Sequence, residues 1–110
     1  MEIKQKEVKA SGLKFTIHLD GLEVGRATLY LMYNDLHEKP FGLLEDVFVD
    51  ENYRGQGLGT QLTKAVIEEA RRQCYKLICT SRYSKPKVHE LYQRLGFKNH
   101  GIEFRIDFEE

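Results

Sequence analysis

Three glycines at alternate positions stand in the run Arg54-Gly55-Gln56-Gly57-Leu58-Gly59-Thr60. Without Cβ atoms, such a run lets an anion's oxygens approach backbone N–H groups closely. The chain then turns to helical periodicity. Leu58, Leu62, Ala65, Val66, Ala70 and Cys74 fall on one side, and Gln61, Lys64, Glu68 and Arg72 on the other. A helix that starts near Leu58 or Gly59 brings unsatisfied N–H donors and the positive end of its dipole to the same place. Arg54 adds a fixed positive charge. The spacing predicts a phosphate or pyrophosphate cradle; the alternative is a flexible glycine turn that only leads into a helix. A Walker loop requires Gly-Lys-Ser/Thr at its end, where this chain reads Gly-Leu-Gly-Thr. The dinucleotide pattern G-x-G-x-x-G fails at Thr60, and no acidic residue follows about 20 positions later to hold a ribose.

Two further side chains have chemistry to offer. Glu45 lies in the row Phe41, Leu43, Glu45, Val47, Val49, an apolar-facing position of an expected central strand. A carboxylate buried there has its pKa raised by desolvation towards values useful to a general base. Alternatively, a bulge near residue 45 turns it out to solvent. Tyr92 sits on the apolar stripe of a second helix, where an aromatic ring serves the core; at a site edge its phenol can donate a proton to a leaving group.

The elements that must position these groups are legible from periodicity. Leu13, Phe15, Ile17 and Leu19 alternate as in a half-buried strand, Asp20-Gly21 favours a tight hairpin, and a long return strand runs from Leu22 to Tyr33. Its apolar parity changes beside Gly25, which indicates a bulge. Residues 41–49 form a third strand, the run Leu77 to Cys79 a short buried one, and Ile102, Phe104, Ile106 and Phe108 a last alternating one; residues 2–9 are a further candidate. Ser84 caps the second helix, whose stripe is Val88, Leu91, Tyr92 and Leu95, and Gly96 ends it. Early hairpins followed by strand–helix–strand–helix–strand imply a mixed sheet with two helices, an α/β or α+β fold in one domain.

Composition narrows the function classes. The 110 residues carry 17 basic and 17 acidic side chains, which disfavours nucleic acid or an anionic membrane as the main partner. The longest apolar run, Leu29 to Tyr33, cannot cross a bilayer, and the N-terminus MEIKQKEVKA has no signal-peptide core, so a cytoplasmic protein is expected. Cys74 and Cys79 read as buried thiols and the four histidines are scattered without ligand spacing, so no metal is expected. Charge is uneven: six basic and ten acidic residues precede Arg54, and eleven and seven follow from it onward. Arg82, Lys85 and Lys87 lie in the basic part, and the acidic part would attract a cationic acceptor.

The segment from Leu43 to Phe97 resembles the GNAT superfamily of acyl-CoA-dependent N-acetyltransferases. LLEDVFVDENYRGQGLGTQL is similar to that family's central motif, a strand ending in Val followed by Arg-x-x-Gly-x-Gly, with Arg54, Gly57 and Gly59 at the defining positions. VHELYQRLGF is similar to its second motif, with Tyr92 and the closing Leu95-Gly96-Phe97. The resemblance implies a twisted, mostly antiparallel sheet of about six strands with two main helices. It implies that Gly55, Gln56, Gly57, Leu58, Gly59 and Thr60, with Arg54, hold the pyrophosphate of acetyl-CoA, and that backbone groups of Val47, Phe48 and Val49 pair with its pantetheine arm. It implies Glu45 as base and Tyr92 as general acid in direct transfer to an amine, with a backbone N–H near Val47 or Phe48 polarising the thioester. The Leu-Glu-Asp-Val form at 44–47 resembles members that acetylate small amines, including diamines and amino sugars.

Two departures matter. The family's frequent Asn seven residues before the tyrosine is Lys85 here, and the chain has no room before Leu13 for the usual first strand and two helices. Those elements generally wall the acceptor site. An open acceptor face would suit a protein or peptide amine, and a homodimer that completes the site would suit a small molecule. A non-catalytic acyl-CoA-binding or interaction module is the alternative from a different class.

Overall fold

A computed structural model describes residues 1–109. Strands β1 (Ala10–Leu19), β2 (Leu22–Met32) and β3 (Phe41–Val49) are followed by a single 3₁₀ turn (Glu51–Tyr53), helix α1 (Leu58–Gln73), strand β4 (Leu77–Cys79) and helix α2 (Pro86–Arg94). The four strands form one sheet in the order β1-β2-β3-β4. β1–β2 and β2–β3 are antiparallel, and β3–β4 is parallel through the α1 crossover. The chain divides into two compact units, Met1–Cys79 and Thr80–Glu110.

In the first unit, local chemistry sets the hairpin. Asp20 and Gly21 have φ of 51° and 80°, the paired positive values that a two-residue turn matched to strand twist requires. The bulge expected beside Gly25 is present: Ile17 pairs with Gly25 but His18 with Glu23, so Val24 is an extra residue on β2. Consecutive Val24 and Gly25 are accordingly both buried, and Ala27, Leu29 and Leu31 continue the inward face. α1 packs on β1, β2 and β3 and meets that face with Leu58, Leu62, Val66 and Ala70. These side chains lie at the i, i+4, i+8 and i+12 positions that keep one helix face towards a sheet. Thr63 is fully buried among them, and its hydroxyl donates to the Gly59 carbonyl at 2.8 Å, so its burial leaves no orphaned donor. Gly42 sits in a tight place: a Cβ there would lie 3.0 Å from Leu29 Cδ1, 3.0 Å from Leu77 Cδ1 and 3.1 Å from Cys74 Sγ, so these side chains would have to give.

Two expected strands are absent from the sheet, which has four strands rather than about six. Residues 2–9 form no strand. Residues 102–108 form none either, and Ile102, Phe104, Ile106 and Phe108 are 63–92% exposed. Alternation describes a segment able to bury one face, whereas a strand exists only where a neighbour accepts its backbone hydrogen bonds. Among the described residues, no helix is long and apolar enough to cross a membrane.

Candidate functional site

The chemistry of the first unit gathers where β3 changes character. Thr28 pairs with Glu45 and Arg26 with Phe48, so β3 carries one residue more than β2 across this interval. Asp46 in that interval has φ of 54°. The left-handed conformation is typical of the residue that makes a strand bulge and is uncommon for a side chain larger than glycine. The bulge exchanges the strand's faces. Before it, Gly42 and Leu44 point into the core. After it Val49 does, with its Cγ2 beside Gly25 and Gly59. The row Phe41, Leu43, Glu45, Val47, Val49 therefore does not share one face, and the expectation of a buried Glu45 is corrected. Glu45 is exposed, on the side away from Leu44, in agreement with the alternative of a bulge that turns it outward.

The ladder also sorts the backbone groups of residues 47–49. Asp50 N–H donates to the Val24 carbonyl at 2.8 Å. Antiparallel alternation then directs the Phe48 groups at its partner Arg26, and those of Val47 and Val49 to the opposite edge. β4 pairs with Gly42, Leu43 and Leu44 only, so among the described residues the ladder on that edge stops before Glu45. Arg54 Nε donates to the Val49 carbonyl at 2.9 Å, which ties the glycine loop to the end of β3.

The loop itself is built on backbone freedom. Gly55 and Gly57 have φ of 85° and 79°, and a Cβ at either would meet nothing within 4 Å, so conformation rather than space requires glycine there. Gly57 is the N-cap of α1 and makes no side-chain cap bond. The helical ladder begins with Gln61 N–H donating to the Gly57 carbonyl at 3.1 Å. The N–H groups of Leu58, Gly59 and Thr60 precede it, and no acidic residue lies in the first turn to oppose an anion. This donor set fits a pyrophosphate. An amide-bearing arm, in turn, fits the outward edge of Val47 and Val49.

In the second unit, α2 presents Val88, Leu91, Tyr92 and Leu95 half-buried, as their spacing predicts. Its start differs from expectation: Lys85 rather than Ser84 is the N-cap, without a side-chain bond, because Pro86 takes the first helical position. Its end is tightly specified. Gly96, at φ 106°, donates to the Gln93 carbonyl at 3.1 Å, and Phe97 N–H donates to the Tyr92 carbonyl at 3.0 Å. The rings of Tyr92 and Phe97 pack with centroids 5.4 Å apart, the apolar contact that accompanies this glycine-terminated cap.

Neither cysteine has the character of a nucleophile. Burial pushes the Cys79 thiol up to about 11 and raises that of Cys74, where Glu69 adds to the effect. Among the described residues no group of three or more His, Cys, Asp or Glu side chains could hold a metal ion. Sequence reasoning overlooked Arg26 and gave Asp46 no role. Arg26 Nε donates to Asp46 Oδ2 at 2.7 Å and Nη2 to Oδ1 at 3.3 Å, across the bulge. The legible signal was an acidic pair at 45 and 46 that interrupts an otherwise apolar strand.

Comparison with known proteins agrees with this geometry. The model of the acetyltransferase (GNAT) family matches residues 5–97. Glucosamine 6-phosphate N-acetyltransferase of Trypanosoma brucei brucei is 42% identical over 67 residues, 60% of this chain and 44% of that protein. Spermine/spermidine N(1)-acetyltransferase of Bacillus subtilis is 29% identical over 96 residues, 84% of this chain and 61% of that protein. The chain thus spans less than two thirds of either relative. The crystal structure of an acetyltransferase from Trypanosoma brucei superposes with a TM-score of 0.74 at 33% identity, covering 90% of this chain and 69% of that one. With the match running through the strand, the bulge, the glycine loop and both helices, the chain belongs to the GNAT acetyltransferase family.

Proposed function

We propose that this protein is an acetyl-CoA-dependent N-acetyltransferase that moves an acetyl group directly to a primary amine. The observation that carries the reading is the outward edge of β3 at Val47 and Val49, continuous through Arg54 with the glycine loop and the start of α1. When bound, acetyl-CoA supplies the activated thioester. The N–H groups of Leu58, Gly59 and Thr60 hold the pyrophosphate, with Arg54 adding charge and Gly55, Gln56 and Gly57 shaping the turn. Val47 and Val49 pair with the pantetheine arm. Phe48 is turned towards β2, so Val47 is the residue whose N–H donates to the thioester oxygen as negative charge builds there.

Glu45 accepts a proton from the acceptor's ammonium group, directly or through water, and so frees the lone pair that attacks. The new N–C bond forms as the C–S bond breaks; Tyr92 donates its phenol proton to the departing thiolate, and the second proton, lost by the nitrogen as the amide forms, returns to the phenolate through water. No covalent enzyme intermediate is required, consistent with the raised Cys74 and Cys79 thiols. The two named relatives act on an amino sugar phosphate and on polyamines, which supports a primary amine as the acceptor class. The exposure of Glu45 favours one competing reading, an acyl-CoA-binding module without turnover, because a carboxylate open to solvent is not held in place against one acceptor. Thiol release from acetyl-CoA in the presence of primary amines separates the two. Turnover that is lost in Glu45→Gln and in Tyr92→Phe, with cofactor binding retained, supports the enzyme. Binding without turnover on any amine supports the module.

A further inference from the structure

Among the described residues, three other than glycine have positive φ: Asp20, Asp35 and Asp46. Asp20 lies in the hairpin turn and Asp35 in the bend after β2, where such angles are ordinary. Asp46 alone lies inside a strand. A left-handed residue within a ladder is unfavourable and persists only where its surroundings impose it. Arg26 spans this point of the strand. It pairs in register with Phe48 on one side of the bulge, while its guanidinium forks onto the Asp46 carboxylate on the other, at 2.7 and 3.3 Å. The same guanidinium lies 4.6 Å from the Phe48 ring centroid, and that of Arg54 lies 5.7 Å from it. Contacts therefore run from Asp46 through Arg26 and Phe48 to Arg54, whose Nε holds the Val49 carbonyl.

We propose that Arg26 and Asp46 form a positioning clamp, which fixes the β3 bulge and so aims the backbone groups of Val47 and Val49 at the arm and thioester of the acyl donor. This rests on the reading of the β3 edge as the pantetheine site. The clamp touches no reacting atom. Glycine at position 46 accepts the same angle unaided, so it should make Arg26 dispensable.

The test is calorimetric titration of four full-length proteins, namely wild type, Arg26→Ala, Asp46→Gly and the double variant. Each is titrated with acetyl-CoA and with 3′-phosphoadenosine 5′-diphosphate, which carries the pyrophosphate but no pantetheine arm. Arg26→Ala is expected to weaken acetyl-CoA about tenfold, equivalent to about 1.4 kcal/mol, and to leave the armless probe within about twofold. Asp46→Gly should bind acetyl-CoA within about threefold of wild type, and Arg26→Ala should cost less than about twofold on that background. Should Arg26→Ala fail to fold, Arg26→Lys, which keeps the charge without the fork, carries the same comparison. Equal weakening of both probes, or an undiminished effect of Arg26→Ala in the Asp46→Gly background, overturns the clamp. Wild type that binds the armless probe but gains nothing from the arm overturns the reading of the β3 edge, and the clamp with it.

Discussion

The two halves of β3 share one strand and obey different rules. From Gly42 to Leu44 the strand is paired on both edges, with β2 and β4, and Gly42 and Leu44 are packed into the core. From Glu45 to Val49 it is paired on one edge, interrupted by a left-handed Asp46, and displays Glu45, Asp46 and Phe48 to solvent. Side chains make the first half, since a Cβ at Gly42 would crowd three neighbouring side chains. Backbone makes the second, since what it offers is an edge of amides outside the β4 ladder and a neighbouring loop of glycines. The difference teaches that one continuous strand can be packed into a sheet at one end and leave an open edge at the other, with a single inserted residue as the boundary.

Substitutions in the two halves should separate function from stability, beginning with the largest effect. Glu45→Gln should lower kcat by about 10²–10⁴-fold, the usual contribution of a positioned base. Its melting temperature and its affinity for acetyl-CoA should stay near those of wild type, because an exposed carboxylate contributes little to the fold. Steady-state kinetics beside a thermal melt checks both. A large loss of stability would erase the distinction between the halves.

Gly42→Ala should do the reverse. Overpacking of this kind costs about 1–3 kcal/mol, and in a domain of this size each kcal/mol lowers the melting temperature by about 4–8 °C. Affinity for acetyl-CoA should be unchanged below the transition. Gly57→Ala tests the loop. Holding a Cβ-bearing residue at φ 79° costs about 1–2 kcal/mol, so acetyl-CoA affinity should fall about tenfold with a smaller change in melting temperature.

The smallest effect concerns Cys79. Burial pushes its thiol up to about 11 in the folded chain, above the ordinary value of about 8.5 in an unfolded one. A folded pKa raised above the unfolded value gives a contribution that is complete below about pH 8.5 and is lost as the pH rises towards 11. Stability measured by denaturant titration should therefore decline over that alkaline window, and Cys79→Ala should flatten the decline while retaining turnover. Loss of turnover in Cys79→Ala would contradict direct transfer.

The same contrast explains what the sequence revealed. Features set by local chemistry were legible: the Asp20-Gly21 turn, the parity change at Gly25, the stripe of α1, and the glycine loop with Arg54 at its head. Features set by a neighbour were not. The side on which Glu45 falls depends on a bulge whose only trace is a charged pair within apolar residues on both faces. The alternation of residues 102–108 records a capacity for pairing and not its realisation. Ser84 looks like a cap by residue type, yet Pro86 fixes the helix start one position later. Arg26 stands 20 residues from Asp46, and only the β2–β3 register brings the two together.

The central claim is that the β3 edge and the glycine loop form one binding surface for an acyl-CoA. Calorimetric titration of the purified protein with acetyl-CoA, with ATP and NAD as controls, tests it most directly. Saturable one-to-one binding of acetyl-CoA, weakened by Gly57→Ala and not matched by either control, is the predicted result. Absence of acetyl-CoA binding, or equal binding of ATP and NAD, would contradict the account.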